Sequence, residues 1–367
     1  MALQVTGLYI HVPFCRSKCN YCDFYSVRPD DGVAEWFIQA VLKAAEPYRN
    51  EKIDTAYFGG GNPLLLGAQN LCKLLSELCG IFAFDENSEL TLEANPEDIT
   101  AEAAKTLFDE GFNRISIGVQ SLDDTVLRKL GRRHDAKQAI TGIEVAFKSG
   151  FRHISADLML SLPDATPEKD RETAKALCKL PLDHVSAYML KVEEGTPFHK
   201  MNLNLPDEDS TADSYLAVCE TLEEHGFAQY EISNFAKPNG KSRHNLKYWT
   251  LEPYIGLGPA AYSFFGGKRF YYPRDLAEFL KNPQKTVADG EGGDAGERIA
   301  MALRLSEGIS TEELICLIGE KGTANLKKPM KDWIKNGFAI EKDGRFVLTA
   351  KGFLVSNSII SRILCEL

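Results

Sequence analysis

Leu8, Ile10 and Val12 alternate with Tyr9 and His11, the two-residue period of a short strand, and Pro13 ends it. Val33, Trp36, Phe37, Ala40, Val41 and Ala44 then recur at helical spacing, with Asp31 placed to cap them. Ile53-Asp-Thr-Ala-Tyr-Phe58 reads as a second strand and runs directly into Gly59-Gly60-Gly61-Asn62-Pro63. A helix from about Gln69 to Cys79 precedes a strand at Leu90-Thr-Leu-Glu93. The rhythm continues with a helix near Thr100 to Glu110 and a strand Arg114-Ile-Ser-Ile-Gly-Val119, with Gln120 just past its end. Helices near 123–130 and 135–149 lead to His153-Ile-Ser-Ala-Asp157, and a helix from Pro167 leads to His184-Val-Ser-Ala-Tyr188.

Six strands separated by helical stretches predict an α/β fold with a parallel sheet and crossover helices. A doubly wound sheet and an incomplete barrel both satisfy that count. Beyond Pro206 the pattern loosens: a helix from about Ala212 to His225, then Tyr230-Glu-Ile-Ser-Asn-Phe-Ala236. Residues 237–285 are rich in Gly, Pro and aromatics, which predicts loops and short strands. Gly290-Glu-Gly-Gly-Asp-Ala-Gly296 reads as a linker. Helical runs near 311–320 and 325–336, followed by strand-like 338–340 and 345–348, predict a small helix-rich domain with a hairpin, winged-helix-like in outline. The expected division is a core at 1–235, an extension at 236–290 and a small domain at 291–367.

Composition narrows the function. At 367 residues, with 44% hydrophobic and 26% charged positions, the chain has material for one large core and a small second one. A formal charge of −10 offers no excess of cations to neutralise phosphates, so no nucleic-acid partner is expected and none is inferred from the winged outline. No apolar run approaches the ~18 residues of a membrane span, and the nine cysteines form no regular framework. A soluble cytoplasmic protein with reduced thiols is the expectation. Cys72 and Cys79, seven apart on a helix, fit one buried face.

Three cysteines stand apart from the rest. Cys15, Cys19 and Cys22 form C-x3-C-x2-C on a single loop. Three thiolates so placed can hold three corners of a [4Fe–4S] cube and leave one iron without a protein ligand. Zinc with His11 as a fourth ligand is an alternative, and a disulfide would leave one thiol over. The remaining polar candidates fall at strand ends: the glycine run, Glu93, Gln120 and Asp157. In a β/α barrel those ends share one active face.

The cysteine spacing, with Tyr21 just before the last thiol, resembles the signature of the radical S-adenosylmethionine (SAM) superfamily. That resemblance implies an incomplete (β/α)6 barrel, a [4Fe–4S] cluster held by Cys15, Cys19 and Cys22, and SAM capping the open iron. It further implies one-electron cleavage of SAM to a 5′-deoxyadenosyl radical, with electrons from a donor protein. Gly60, Gly61 and Asn62 match the glycine-rich stretch that meets SAM's amino end, although Asn62 replaces the usual threonine. Glu93, Gln120, Arg132 and Asp157 match SAM-binding positions in relatives of oxygen-independent coproporphyrinogen III oxidase. Tyr9 and Tyr21 match the aromatic positions beside the cluster.

Within that family the chain is similar to the haem-chaperone branch. The oxidase has a further cysteine two residues after the third, where this chain has Phe24, and a longer segment before the motif. Ser242-Arg-His244-Asn245-Leu-Lys-Tyr248-Trp249 contains the H-N-x-x-Y-W signature of that branch. The resemblance implies haem as cargo, a haem-acceptor protein as partner, and His244 as the iron ligand. The alternative reading is oxidative decarboxylation of coproporphyrinogen propionates. A further radical reaction on a tetrapyrrole, such as methyl transfer, has no specific residue in its favour. Three stretches depart from the pattern. Asn62 is one, Leu160-Ser161-Leu162-Pro163 stands for Y-G-L-P, and Gly258-Pro-Ala260-Ala261-Tyr262-Ser263 for G-P-G-A-H-S. Their placement near the expected pocket predicts a divergent member with altered pocket walls.

Overall fold

The computed structural model describes residues 5–367. Its first half repeats one unit. Strands and helices alternate as β1 (Thr6–Val12), α1 (Val33–Ala45), β2 (Lys52–Gly60), α2 (Ala68–Cys79), β3 (Ala83–Ala94) and α3 (Ala101–Asp109). They continue as β4 (Arg114–Gln120), α4 (Asp124–Lys129), α5 (Ala136–Ser149), β5 (His153–Leu160), α6 (Pro167–Cys178) and β6 (His184–Met189). Strands β1 to β6 lie side by side in sequence order, each parallel to the next.

The second half adds α7 (Glu208–Glu224), β7 (Ala228–Gln229), β8 (Asn234–Ala236), α8 (Arg243–Thr250), β9 (Tyr254–Leu257), β10 (Tyr262–Phe265) and β11 (Lys268–Tyr271). Then come α9 (Leu276–Lys281), β12 (Val287–Glu291), α10 (Ala295–Ala302), β13 (Ile309–Ser310) and α11 (Thr311–Lys335). The chain closes with β14 (Ala339–Lys342), β15 (Arg345–Leu348), α12 (Ala350–Leu354) and α13 (Ser356–Leu364).

The six parallel strands are the centre of a larger sheet. Twelve strands run in the order β12-β11-β10-β9-β1-β2-β3-β4-β5-β6-β8-β7. β9 pairs parallel with β1, and β8 pairs antiparallel with β6. The expected boundary at 235/236 therefore falls inside β8; residues 228–236 extend the core sheet beyond β6, and strands β9 to β12 extend it beyond β1. Sequence periodicity could not show this, because β7 to β11 are each only two to four residues long. A separate three-stranded sheet, β13-β15-β14, packs with α11 and α12 near the C-terminus. Gly319 at φ 75° breaks α11 into two helical runs, as the sequence pattern anticipates.

The two faces of the strands differ in chemistry, and this decides between the two sheet architectures. Leu92, Ile115, Ile117, Val119, Ile154, Ala156, Leu158, Val185 and Ala187 join the apolar core with α2, α3, α5 and α6. Each large aliphatic there contributes roughly 1.5–3 kcal/mol by leaving water. The alternating positions Thr91, Glu93, Ser116, Gln120, Ser155, Asp157, His184 and Ser186 line a cavity on the other face. Helices cover one face and a cavity occupies the other, so the sheet curls as an open barrel.

Local signals at helix starts explain most boundaries. Thr100 caps α3 by accepting from Ala103 N, and Asp135 forms a capping box with Gln138 at α5. Asp31 does not cap α1 as expected; Gly32, left-handed at φ 80°, precedes that helix with no side-chain cap.

Two of the departures from the family pattern carry backbone strain. Ser161 (φ 56°) and Ala260 (φ 68°) adopt left-handed conformations at the positions where the pattern has glycine. A Cβ in that region costs about 1 kcal/mol or more. Ala260→Gly and Ser161→Gly are each expected to raise stability by about 1 kcal/mol in chemical denaturation. Loss of stability in both would show that these side chains supply compensating contacts.

Candidate functional site

The loop after β1 carries the three cysteines to the carboxyl-terminal mouth of the barrel. All three thiols are free, and all three line one cavity of about 520 Å³. The loop is fixed at several points: Cys15 N donates to Val27 O, Cys22 N to Cys19 O, and Asn20 N to Leu130 O. Burial pushes the Cys15 thiol up to about 11 and raises Cys22 as well. A metal must displace those protons, so loading the site releases acid.

The zinc alternative does not survive the placement of His11. Its Nε2 donates to Tyr25 O at 3.0 Å, and its Nδ1 accepts from Tyr9 OH at 3.0 Å. Both ring nitrogens are committed within the protein, and burial lowers the imidazole to about 4. Among the described residues, no three Cys, His, Asp or Glu side chains close around a single ion. A cube differs from a single ion in binding each thiolate through a separate iron.

Below the thiols, a network of hydrogen bonds sets the walls. Tyr57 OH donates to Glu93 Oε1 at 2.8 Å, and Gly60 N donates to Oε2 at 2.9 Å. A carboxylate has about four acceptor positions, so Glu93 keeps capacity for ligand hydroxyls. Ser116 Oγ donates to Asp157 Oδ1 at 3.2 Å one strand further on. Deeper still, Arg114, Ser155, His184, Ser242 and Asn245 line the cavity down to α8 at its floor.

The sequence-predicted residues divide by placement. Tyr21, Gly60, Gly61, Glu93, Gln120, Arg132 and Asp157 lie on the cavity wall with the three cysteines. Tyr9 lies behind the wall, bonded to His11. Asn62 lies in a small recess beside Arg16 and Asp98, to which its Nδ2 donates at 2.6 Å. Arg132 also bonds within the protein: it donates to Asn95 Oδ1 (2.8 Å) and Gly118 O (2.7 Å) and sits 3.6 Å from Cys19 Sγ, while its Nε is buried without a partner among the described residues. It braces the cysteine loop. None of Asn62, Leu160, Ser161, Ala260 and Tyr262 forms part of the main wall, so the departures leave that wall unaltered.

The glycine run is required by packing as much as by any ligand. A Cβ at Gly61 would stand 2.5 Å from Phe14 O, and one at Gly60 would stand 2.6 Å from the His11 ring. These glycines let β2 pass directly beneath the cysteine loop.

His244 is placed differently from the expectation. It is fully buried in α8, with Nδ1 2.9 Å from Thr55 Oγ1 and Nε2 2.9 Å from Tyr248 OH. Its ring stacks on Tyr57 at 5.3 Å, and burial lowers it to about 3. No ring nitrogen is left for an iron. The neutral imidazole instead backs the tyrosine that holds Glu93.

Residue pattern alone did not single out Tyr57, Asn95, Arg114, Ser116, Ser186 and Tyr188, all on the wall. A signal was present: polar residues two apart on successive strands, as in Thr91/Glu93 and His184/Ser186/Tyr188, opposite an aliphatic face.

Comparison with known proteins agrees with this geometry. The pattern of the radical SAM superfamily matches residues 9–177. "Heme chaperone HemW" of Lactococcus lactis is 31% identical, over 100% of this chain and 99% of its own. The chain belongs to the HemW family. The Bacillus subtilis HemW is 33% identical over 98% of this chain and 99% of its own length. A zebrafish (Danio rerio) mitochondrial protein named for its radical S-adenosyl methionine domain is 30% identical over 98% of this chain. In structure, the HemN coproporphyrinogen III oxidase of Escherichia coli superposes with a TM-score of 0.79 over 99% of this chain and 91% of that one. At 20% identity, that superposition establishes the shared fold. The HemW family is thus built here on a radical SAM barrel with its cysteine loop over a polar shaft.

The two wall carboxylates make a testable electrostatic statement. Burial raises Glu93 to about 7, helped by the nearby Asp157 charge, and burial raises Asp157 to about 6. The folded ligand-free protein therefore keeps a proton on Glu93 that the unfolded chain releases near the ordinary glutamate value of 4.5. Stability should fall as pH rises from about 4.5 to about 7, then level off. Glu93→Gln should remove most of the slope between pH 6 and about 7 in urea titrations. An unchanged slope would place the charge elsewhere.

Proposed function

We propose that this chain binds a [4Fe–4S] cluster and SAM at the barrel mouth and carries haem to an acceptor protein. The observation that carries the reading is the C-x3-C-x2-C loop facing a polar shaft in a chain matched end to end by named haem chaperones. Cys15, Cys19 and Cys22 would hold the cluster. Gly60, Gly61, Glu93, Gln120 and Asp157 offer backbone, amide and carboxylate groups suited to SAM's amino group, carboxylate and ribose hydroxyls. When bound, the cluster supplies a single electron and an open iron site.

The chain's own residues do the rest. Tyr57 and Gly60 orient the Glu93 carboxylate, Ser116 orients Asp157, and Arg132 sets a positive charge beside Cys19. That charge suits a thiolate-bound, electron-rich group. Phe24 stands exposed at the mouth where the oxidase pattern has a fourth thiol, which favours a carrier over the oxidase reading.

Haem or a related tetrapyrrole is the cargo in this reading, an electron-donor protein reduces the cluster, and a haem protein is the acceptor. Free thiols and an oxygen-sensitive cluster suit a cytoplasmic setting. Among the described residues no helix is long and apolar enough to cross a membrane. Residues 291–367 form a small winged-helix-like domain in this reading, supported by the three-stranded sheet packed with α11 and α12.

Two assays on anaerobically reconstituted protein test the function. Haem-loaded protein should pass its haem to a haem-free globin used as a surrogate acceptor, followed by the rise of the globin spectrum. Coproporphyrinogen III incubated with SAM and reductant should keep its propionates, as judged by mass spectrometry. Decarboxylation of that substrate would make the chain an oxidase despite Phe24.

A further inference from the structure

We propose that haem docks on the rim of the barrel mouth with His199 as its iron ligand, and not at the motif histidine His244. The inference rests on the haem-carrying reading above and deepens it by naming the site.

The chain has seven histidines. His11, His184 and His244 are buried with both ring nitrogens bonded: His184 to Ser155 Oγ (2.6 Å) and Tyr230 OH (2.8 Å), the others as given above. His134 is buried, with Nε2 bonded to Val119 O at 3.1 Å and Nδ1 3.4 Å from Glu97. His153 opens β5 and bonds Asp183 at 2.6 Å, which puts it at the amino-terminal end of the barrel. His225 ends α7 just before Ala228, whose register partner Ala236 pairs with His184 at that same end. Only His199 remains on the cysteine face. It is exposed, and its ring nitrogens have no partner among the described residues.

The loop that carries His199 is tied to the cysteine loop. Phe198 is buried in a small apolar cluster with Leu130, Met159 and Leu162, and Phe198 N donates to Asn20 O at 2.9 Å. Asn20 lies between two of the cysteines, so His199 stands at the rim of the mouth, on a fixed segment. This loop also exposes apolar side chains. Met201 is 48% exposed and Leu205 43%, and Phe24 on the cysteine loop is 68% exposed.

A haem face requires apolar and aromatic contact, an axial donor and cations for its propionates. The rim offers Phe24 and Met201 for contact and the imidazole of His199 for iron. Exposed Lys18 and Lys200 stand beside the cysteines and the histidine to pair with carboxylates. The interior shares Phe24 and Lys18 with this rim but has no free imidazole, since His184 on its wall has both ring nitrogens bonded. Its cavity of about 520 Å³ must also admit SAM in this reading. The exposed cysteines compete poorly as ligands, because Cys79 ends α2 and Cys316 and Cys365 lie on or beyond α11 and α13. A rim site also leaves the cargo where an acceptor can reach it.

Haem titration of the cluster-loaded chain tests this, read by Soret position and by the iron–imidazole stretch in resonance Raman. His199→Ala should weaken haem binding roughly tenfold or more and abolish the iron–imidazole signature. Added imidazole should restore the wild-type spectrum, a rescue that a merely structural role would not show. His244→Gln can still bridge Thr55 and Tyr248 and should keep the signature. An unchanged spectrum and affinity in His199→Ala would overturn the proposal, and loss of the signature in His244→Gln alone would return the iron to the barrel. Failure of the wild-type chain to take up haem at all would overturn the carrying function itself, and this site with it.

Discussion

A barrel whose inner face is made of hydroxyls, carboxylates and a guanidinium is the constraint on which the other features depend. Buried polar groups are costly unless they are bonded. The inner face meets that demand by pairing neighbours across strands: Tyr57 with Glu93, Ser116 with Asp157, Ser155 with His184. The aliphatic alternate positions then face outward, where the crossover helices bury them. Stability comes from the outer layer, which leaves the inner one available for ligands. Some of its donors remain unmatched: Arg114 Nη2 and Thr91 Oγ1 are buried without hydrogen-bond partners among the described residues.

Helix α8 closes the lower end of this shaft. Glu89 accepts from the backbone N–H groups of Arg243 and His244, at 3.1 and 2.9 Å, which anchors the first turn of the helix to β3. Lys247, buried, forms ion pairs with Asp54 and Glu252 at 2.9 Å each. His244 reaches inward from this plug to stack on Tyr57. The H-N-x-x-Y-W segment thus acts on the site from below, through the tyrosine that sets Glu93. Asn245, the second residue of the segment, and Ser242, two residues before it, reach the cavity directly.

Much of the core was legible because its signals are local. The six strands alternate clearly, Thr100 and Asp135 stand at helix starts, and C-x3-C-x2-C needs only one loop. Function-bearing strand ends were found because β/α order fixes which face they share. What escaped depends on distant partners. Arg132 lies on the wall as expected, but its bonds to Asn95 and Gly118 join segments that sequence order does not bring together. His244 resembles an axial ligand, yet Thr55, 189 positions earlier, takes its Nδ1. The short edge strands β7 to β11 are recruited by an existing sheet edge and carry little periodicity of their own.

The central claim is that the three cysteines hold an open cluster directly beside bound SAM. Hyperfine spectroscopy of the reduced protein addresses it, with SAM labelled with nitrogen-15 in its amino group and oxygen-17 in its carboxylate. The account predicts that both labels couple to the cluster in the wild-type chain and that the coupling disappears in Cys19→Ala. A reconstituted chain that holds zinc in place of iron and sulfide, or an intact cluster with no coupling to either label, would contradict it.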